Sequence, residues 1–282
     1  MFVRTLRLST FLLLAGALTA CGGSSDSSDA ADAQSSTANA TAVTITPGER
    51  SPAIAGASAQ FTAPIDSAVV DSASVDVTVT VDSFETGIQT QTPRAQNIAN
   101  SANGQHVHII LDNGPYMANY NTGQPFPIGE LSPGAHTLVV FPSRSYHESV
   151  KNPGAHDVVT FYVAEETGTP MIEKGAPTII YSRPKGTYSG AAAEKIMLDF
   201  YLHNVELSAD GYSAKYTIRK KGSTEPLASQ TLTEWVPSFV TGLSSGTYVV
   251  HLQLLDAEGN VVPGPFNDTE REIVVEAPSS SM

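Results

Sequence analysis

Five of the chain's seven histidines fall between positions 106 and 156: His106, His108, His136, His147 and His156. His106 and His108 belong to the run His106-Val-His-Ile-Ile-Leu-Asp112, in which alternate residues of a strand share one face. On a strand the two imidazoles stand about 6.5–7 Å apart at Cα. That spacing suits joint coordination of Cu²⁺ or Zn²⁺ once a third ligand approaches. His136 opens a β-rich run, 136–141, that can lie beside this strand, and it is the natural third ligand. Asp112, on the histidine face, completes the candidate set. The same residues also have a metal-free role open to them, as half-buried strand histidines hydrogen-bonded to their surroundings.

A second group of polar side chains lies in Phe141-Pro-Ser-Arg144-Ser-Tyr-His147-Glu148-Ser-Val-Lys151-Asn152-Pro-Gly154. Arg144, His147, Glu148 and Lys151 have the chemistry to hold a carboxylate, a sugar or a partner chain. They can equally pin a loop by ordinary ion pairing. Binding residues tend to ride on loops over a rigid sheet, which favours a recognition role here. Tyr116 and Tyr120, with Phe126, sit among turn formers and can stack on a ligand or plug the end of a domain. The chain contains no Gly-x-Ser-x-Gly elbow, no His-Glu-x-x-His pair and no phosphate-cradling loop ending in Lys-Ser/Thr. No catalytic residue is expected, and the chain reads as a non-enzyme. With 15 basic against 28 acidic residues and a net charge of -13, it has no basic stripe to neutralise phosphates. Nucleic acid is therefore excluded as a partner.

The elements that must position these groups are strands. Val75, Val77, Val79 and Val81 alternate with Asp76, Thr78, Thr80 and Asp82, the period of a strand with one dry face. Laid on itself, the chain repeats. Leu131-Ser-Pro-Gly134 matches Leu243-Ser-Ser-Gly246 at a spacing of 112 residues, and Phe61-Thr-Ala-Pro64 matches Tyr181-Ser-Arg-Pro184 at 120. The difference requires a longer loop in the first copy. Two copies of one β-domain are expected at 59–166 and 177–276, each large enough to be stabilised by an apolar core without disulfides. Between Gly22 and about Gly56 almost nothing large is available to bury, so 21–58 reads as a flexible tether.

The motifs just quoted resemble the repeated immunoglobulin-like modules of bacterial lipoproteins and surface proteins. Such modules end their first strand in a proline-containing turn, carry His-x-His-x-x-x-Asp on a central strand and follow it with a Leu-x-x-Gly-x-His turn, matched here by Leu131 to His136. The resemblance covers most of 59–166 and, more loosely, 177–276, where Tyr212 to Ile218 replaces the histidine strand and Tyr248 stands at the place of His136. It implies an all-β chain with two tandem immunoglobulin-like β-sandwich domains. Ahead of them Arg4 and Arg7 precede the apolar run Leu8 to Ala17, too short to span a bilayer. Leu18-Thr-Ala-Cys21, followed by Gly22-Gly23, resembles the bacterial lipobox. That resemblance implies a signal peptide over 1–20, lipidation of Cys21 and attachment to the outer membrane of a Gram-negative cell, on a face the sequence leaves open. The expected function is a lipid-anchored envelope module that presents loops of its first sandwich to a protein or glycan. The alternative is an envelope Cu or Zn protein that uses His106, His108 and His136.

Overall fold

A computed structural model describes residues 42–276. Cys21, the leader 1–20 and the first part of the tether lie outside the described residues. The valine alternation gives a strand in which Val75, Val77 and Val79 are buried while Asp76 and Thr80 face solvent. In chain order, β1 (Thr44–Pro47) precedes the first sandwich. That sandwich is built from β2 (Ser58–Ala63), β3 (Val69–Val70), β4 (Ser74–Asp82), β5 (His106–Leu111), β6 (Met117–Asn119), β7 (Phe126–Glu130), β8 (Gly134–Ser143) and β9 (Asp157–Val163). The second contains β10 (Thr178–Arg183), β11 (Gly186–Tyr188), the single helical turn α1 (Ala191–Glu194), β12 (Ile196–His203), β13 (Ser213–Lys220), β14 (Pro226–Leu232), β15 (Ser238–Thr241), β16 (Gly246–Leu255) and β17 (Asp268–Val275).

The two sandwiches have one topology. In the first, β2-β4-β7 faces β3-β9-β8-β5-β6; in the second, β10-β12-β15 faces β11-β17-β16-β13-β14. In each, a short strand pairs in parallel with the last one, β3 on β9 and β11 on β17. Each first strand also shifts register at its end, between Phe61 and Ala63 and between Tyr181 and Arg183. These strand orders are those of immunoglobulin-like sandwiches. The repeat spacing called for a longer loop in the first copy, and it is 83–105, against 204–212 in the second.

Two features depart from separate domains on a flexible lead. Residues 42–58 are not tether: β1 adds to the second sandwich beside β15, from Thr44 opposite Thr241 to Pro47 opposite Ser238. Ile45 enters that core. The β-branched run Thr44-Ile45-Thr46 suits the open edge of β15, and covering that edge removes its unpaired backbone groups. The second departure is the junction between sandwiches. Ile110, Val139 and Phe141 on the outer face of the first five-stranded sheet pack against Ile180, Tyr201 and Phe266 of the second sandwich. Strands β8, β10 and β12 are consequently buried on both faces. Their sequences, such as Leu138-Val-Val-Phe141 and Thr178-Ile-Ile-Tyr181, are continuous apolar runs for that reason.

Candidate metal centre at the junction of the sandwiches

On β5, Val107 and Ile109 point into the first core, which turns His106 and His108 toward the junction, where both are fully buried. Strand β8 pairs with β5 so that Ser143 lies opposite His106 and Phe141 opposite His108. Beyond Ser143 the chain doubles back, with Ser143 bridged to Ser149 and the His147 N–H donating to Arg144 O at 2.8 Å. His147 closes this turn in the left-handed region, at φ 67°. Non-glycine residues held there cost of order 1–3 kcal/mol and cluster at functional sites. The turn returns the His147 ring over His106.

Three ring nitrogens now converge. His106 Nε2 lies 3.1 Å from His108 Nε2 and 3.1 Å from His147 Nδ1, and all three atoms fall within 4.8 Å of one another. His106 Nδ1 faces Gly104 O at 2.9 Å. A carbonyl only accepts, so Nδ1 carries the proton and Nε2 presents its single lone pair. One N–H can donate to that lone pair; the second nitrogen then meets it without a hydrogen bond. A cation at the point of convergence removes the conflict. Two nitrogens each bound at about 2.0–2.1 Å to a tetrahedral ion stand roughly 3.3–3.4 Å apart, close to the spacing here. The outer nitrogen of His108 is held 3.1 Å from Ser182 Oγ, and that of His106 by Gly104 O, the second contacts that fix ring orientation in metal sites.

The electrostatics keep these rings neutral. Burial pushes the His106 pKa down to about 4 and that of His147 to about 2, and it holds His108 well below the ordinary imidazole value. Arg183 and Lys185, from the end of β10 and the turn after it, add cationic charge that acts in the same direction. Neutral imidazoles are ready to ligate at pH 7 without first losing protons. Tyr116, 3% exposed, stacks on His108 with ring centroids 3.6 Å apart. Arg183 Nη1 donates to its hydroxyl at 2.7 Å, and the hydroxyl lies 3.3 Å from His147 Nδ1. Tyr120 flanks His106 with centroids 4.7 Å apart, and its hydroxyl bonds to Ser101 at 2.8 Å.

His136 and Asp112 do not join this centre. In the antiparallel pairing of β8 with β5, His106 faces Ser143, seven residues beyond His136, or roughly 23 Å along the strand. His136 instead pairs Nδ1 with Asp112 Oδ2 at 2.6 Å and bonds through Nε2 to Ser132 O at 2.8 Å. The third nitrogen comes from His147, which linear spacing had grouped with the following loop. Ser182, Arg183 and Lys185 carry no local signal, since only the packing of the second sandwich brings them here.

The loop expected to present Arg144, Glu148 and Lys151 is not a free surface. All three are less than a tenth exposed. Glu148 accepts from the Ser51 N–H at 2.9 Å and the Ser51 hydroxyl at 2.6 Å, and it pairs with Arg94. Arg144 donates to Pro52 O, and Lys151 pairs with Asp199 on β12. Residues 49–54 cover the hairpin from one side and the second sandwich from the other. Its charges are the internal partners that buried charges need. A cleft of about 760 Å³ is lined by Lys151 and Asn152 at the end of this hairpin together with Trp235, Tyr201, His156 and Arg50, among others.

No family model matches the chain, and no curated protein matches it. Among solved structures it is similar to the fibronectin(III)-like modules of Clostridium thermocellum CbhA, with 11% identity over 79% of this chain and 97% of that one and a TM-score of 0.27. It is also similar to the chicken CNTN1 FN1-FN3 domains, with 14% identity over 82% and 69% of the two chains and a TM-score of 0.24. Against dimeric latent PorU from Porphyromonas gingivalis the identity is 12% and the TM-score 0.24, and the chain spans only 21% of that protein. The assignment of two immunoglobulin-like sandwiches rests on the strand pairing itself.

Proposed function

We propose that this chain is a non-catalytic metal-binding protein of the cell envelope, attached by lipid at Cys21, that holds Cu²⁺ or Zn²⁺ at the junction of its sandwiches on His106, His108 and His147. The observation that carries the reading is the placement of two ring nitrogens 3.1 Å from the one lone pair of His106. Imidazole donors suit both ions, and copper is the tighter of the two at a nitrogen site. The ligands come from β5 and the hairpin after β8, and Ser182 of the second sandwich supports His108 from outside. Calorimetric titration of the purified protein with each ion should show one equivalent bound, lost in His106→Ala combined with His147→Ala and kept in His136→Ala. Absence of uptake by the wild-type protein would remove the reading.

A second reading is favoured by the cleft at Trp235 and Tyr201, whose volume is in the range of small-molecule sites. A neutral glycan stacked on those rings would also reach Lys151 and Asn152 at the end of the hairpin, which line the same cleft. Titration with envelope glycans while following Trp235 fluorescence tests it, with an unchanged spectrum counting against it.

A further inference from the structure

The three histidines leave a fourth position, and the groups around it determine what fills it. Building on the metal reading, we propose that Tyr116 is the fourth ligand, bound through its phenolate oxygen. Its oxygen stands 3.3 Å from His147 Nδ1, so that His108, His106, His147 and Tyr116 present four donor atoms at successive spacings of 3.1, 3.1 and 3.3 Å. The three spacings approach the roughly 3.3–3.4 Å between two ligands of one tetrahedral ion.

The charge arrangement points the same way independently of those distances. Arg183 is 7% exposed and among the described residues has no carboxylate partner; its Nη1 donates to the Tyr116 phenol oxygen, and its Nε has no hydrogen-bond acceptor among those residues. The Lys185 ammonium sits 3.8 Å from the centroid of the Tyr116 ring and donates to the Tyr116 main-chain carbonyl at 2.6 Å. One cation is thus bonded to the phenol oxygen and a second lies over the ring. A divalent ion on three neutral imidazoles would add two more positive charges to a buried region, where uncompensated charge is costly. A phenolate supplies negative charge, and Arg183, bonded to its oxygen, is placed to stabilise it. As the metal–oxygen bond forms, the phenol proton leaves to solvent, and no other bond or oxidation state changes.

Arg183 is therefore a positioning residue and Tyr116 a ligand. Sequence duplication supports an acquired role, because at the register of His106 and His108 the second copy carries Ser213 and Lys215 on β13, which pairs with β16 as β5 pairs with β8.

The test is the visible spectrum of the purified protein loaded with one equivalent of Cu²⁺. Phenolate ligation gives a phenolate-to-copper charge-transfer band in wild-type protein, absent from Tyr116→Phe, while that variant still binds one Cu²⁺ through its histidines with affinity weaker by about tenfold or more. Arg183→Gln keeps the band but shifts it, since the hydrogen bond to the phenolate oxygen is altered. Wild-type protein that binds one Cu²⁺ without the band, or Tyr116→Phe that retains it, overturns the assignment of Tyr116 and leaves the three-histidine site standing. Wild-type protein that binds no Cu²⁺ overturns the site and this inference with it.

Discussion

Replacing Lys151 with Met probes how the junction is held. The Lys151 and Asp199 side chains are 3% and 0% exposed and form an ion pair between the sandwiches. Among the described residues the Asp199 carboxylate otherwise accepts only from the Ser149 N–H, at 3.0 Å, while Lys151 also donates to Ser149 Oγ at 2.7 Å. Removal of the ammonium leaves a buried carboxylate with one neutral donor. Breaking a buried pair in this way costs about 3–5 kcal/mol, against roughly 0–1 kcal/mol for an exposed pair. For a chain of this size each kcal/mol lowers Tm by about 2–4 °C. The expected fall is therefore on the order of 10 °C. Lys151→Met combined with Asp199→Leu should be more stable than Lys151→Met alone, because only the Ser149 N–H then lacks a partner, at a cost of about 1–3 kcal/mol. Urea unfolding followed by fluorescence reads the effect where it arises. Trp235 is the chain's only tryptophan; its Nε1 donates to Phe200 O at 3.0 Å, and the Lys151 ammonium lies 5.7 Å from its ring. A loss below 1 kcal/mol in Lys151→Met, or a double variant no better than the single one, would refute the closed junction.

Three further outcomes follow from the same contacts. His136→Ala should lower stability by leaving Asp112 without its partner, yet leave Cu²⁺ and Zn²⁺ uptake unchanged in titration; loss of uptake would return His136 to the site. Ile45→Lys should detach β1, destabilise the second sandwich by about 2–4 kcal/mol and expose the β15 edge, which light scattering would register as association. Metal-free protein should lose stability as the pH falls from about 6.5 toward 4. Over that interval the unfolded chain takes up protons that His106 and His156, both lowered to about 4 by burial, and His147, lowered to about 2, refuse in the folded state. The slope is at most about 1.4 kcal/mol per pH unit for each ring. Stability in urea that is flat between pH 6.5 and 4 would contradict the buried, neutral rings.

The repeat was legible because both copies kept the same turn and strand signals, Leu131-Ser-Pro-Gly and Leu243-Ser-Ser-Gly, in front of their longest strands. Alternation at Val75 to Val81 gave a one-sided strand, and its buried face is the one expected. Packing between copies was less visible, although the unbroken apolar run at 138–141 and the run at 196–202, interrupted only by Asp199, carried its signal: a strand with almost nothing polar to alternate is covered twice. His106 and His108 declared a shared face by their spacing. His147 could not be found that way, since its place depends on a five-residue reversal after Ser143 and on a left-handed backbone. Arg144, Glu148 and Lys151 looked like recognition chemistry because charge in a loop usually faces water. Here the strap behind β1, the long loop carrying Arg94, and β12 supply partners from distant parts of the chain, and no local pattern encodes that.

The central claim is an ion on three particular nitrogens. Crystals of the protein grown with one equivalent of Cu²⁺ and measured at the copper absorption edge would locate it. The account predicts a single anomalous peak about 2.0–2.2 Å from His106 Nε2, His108 Nε2 and His147 Nδ1. No peak at that point, or a peak on His136 and Asp112, would contradict it.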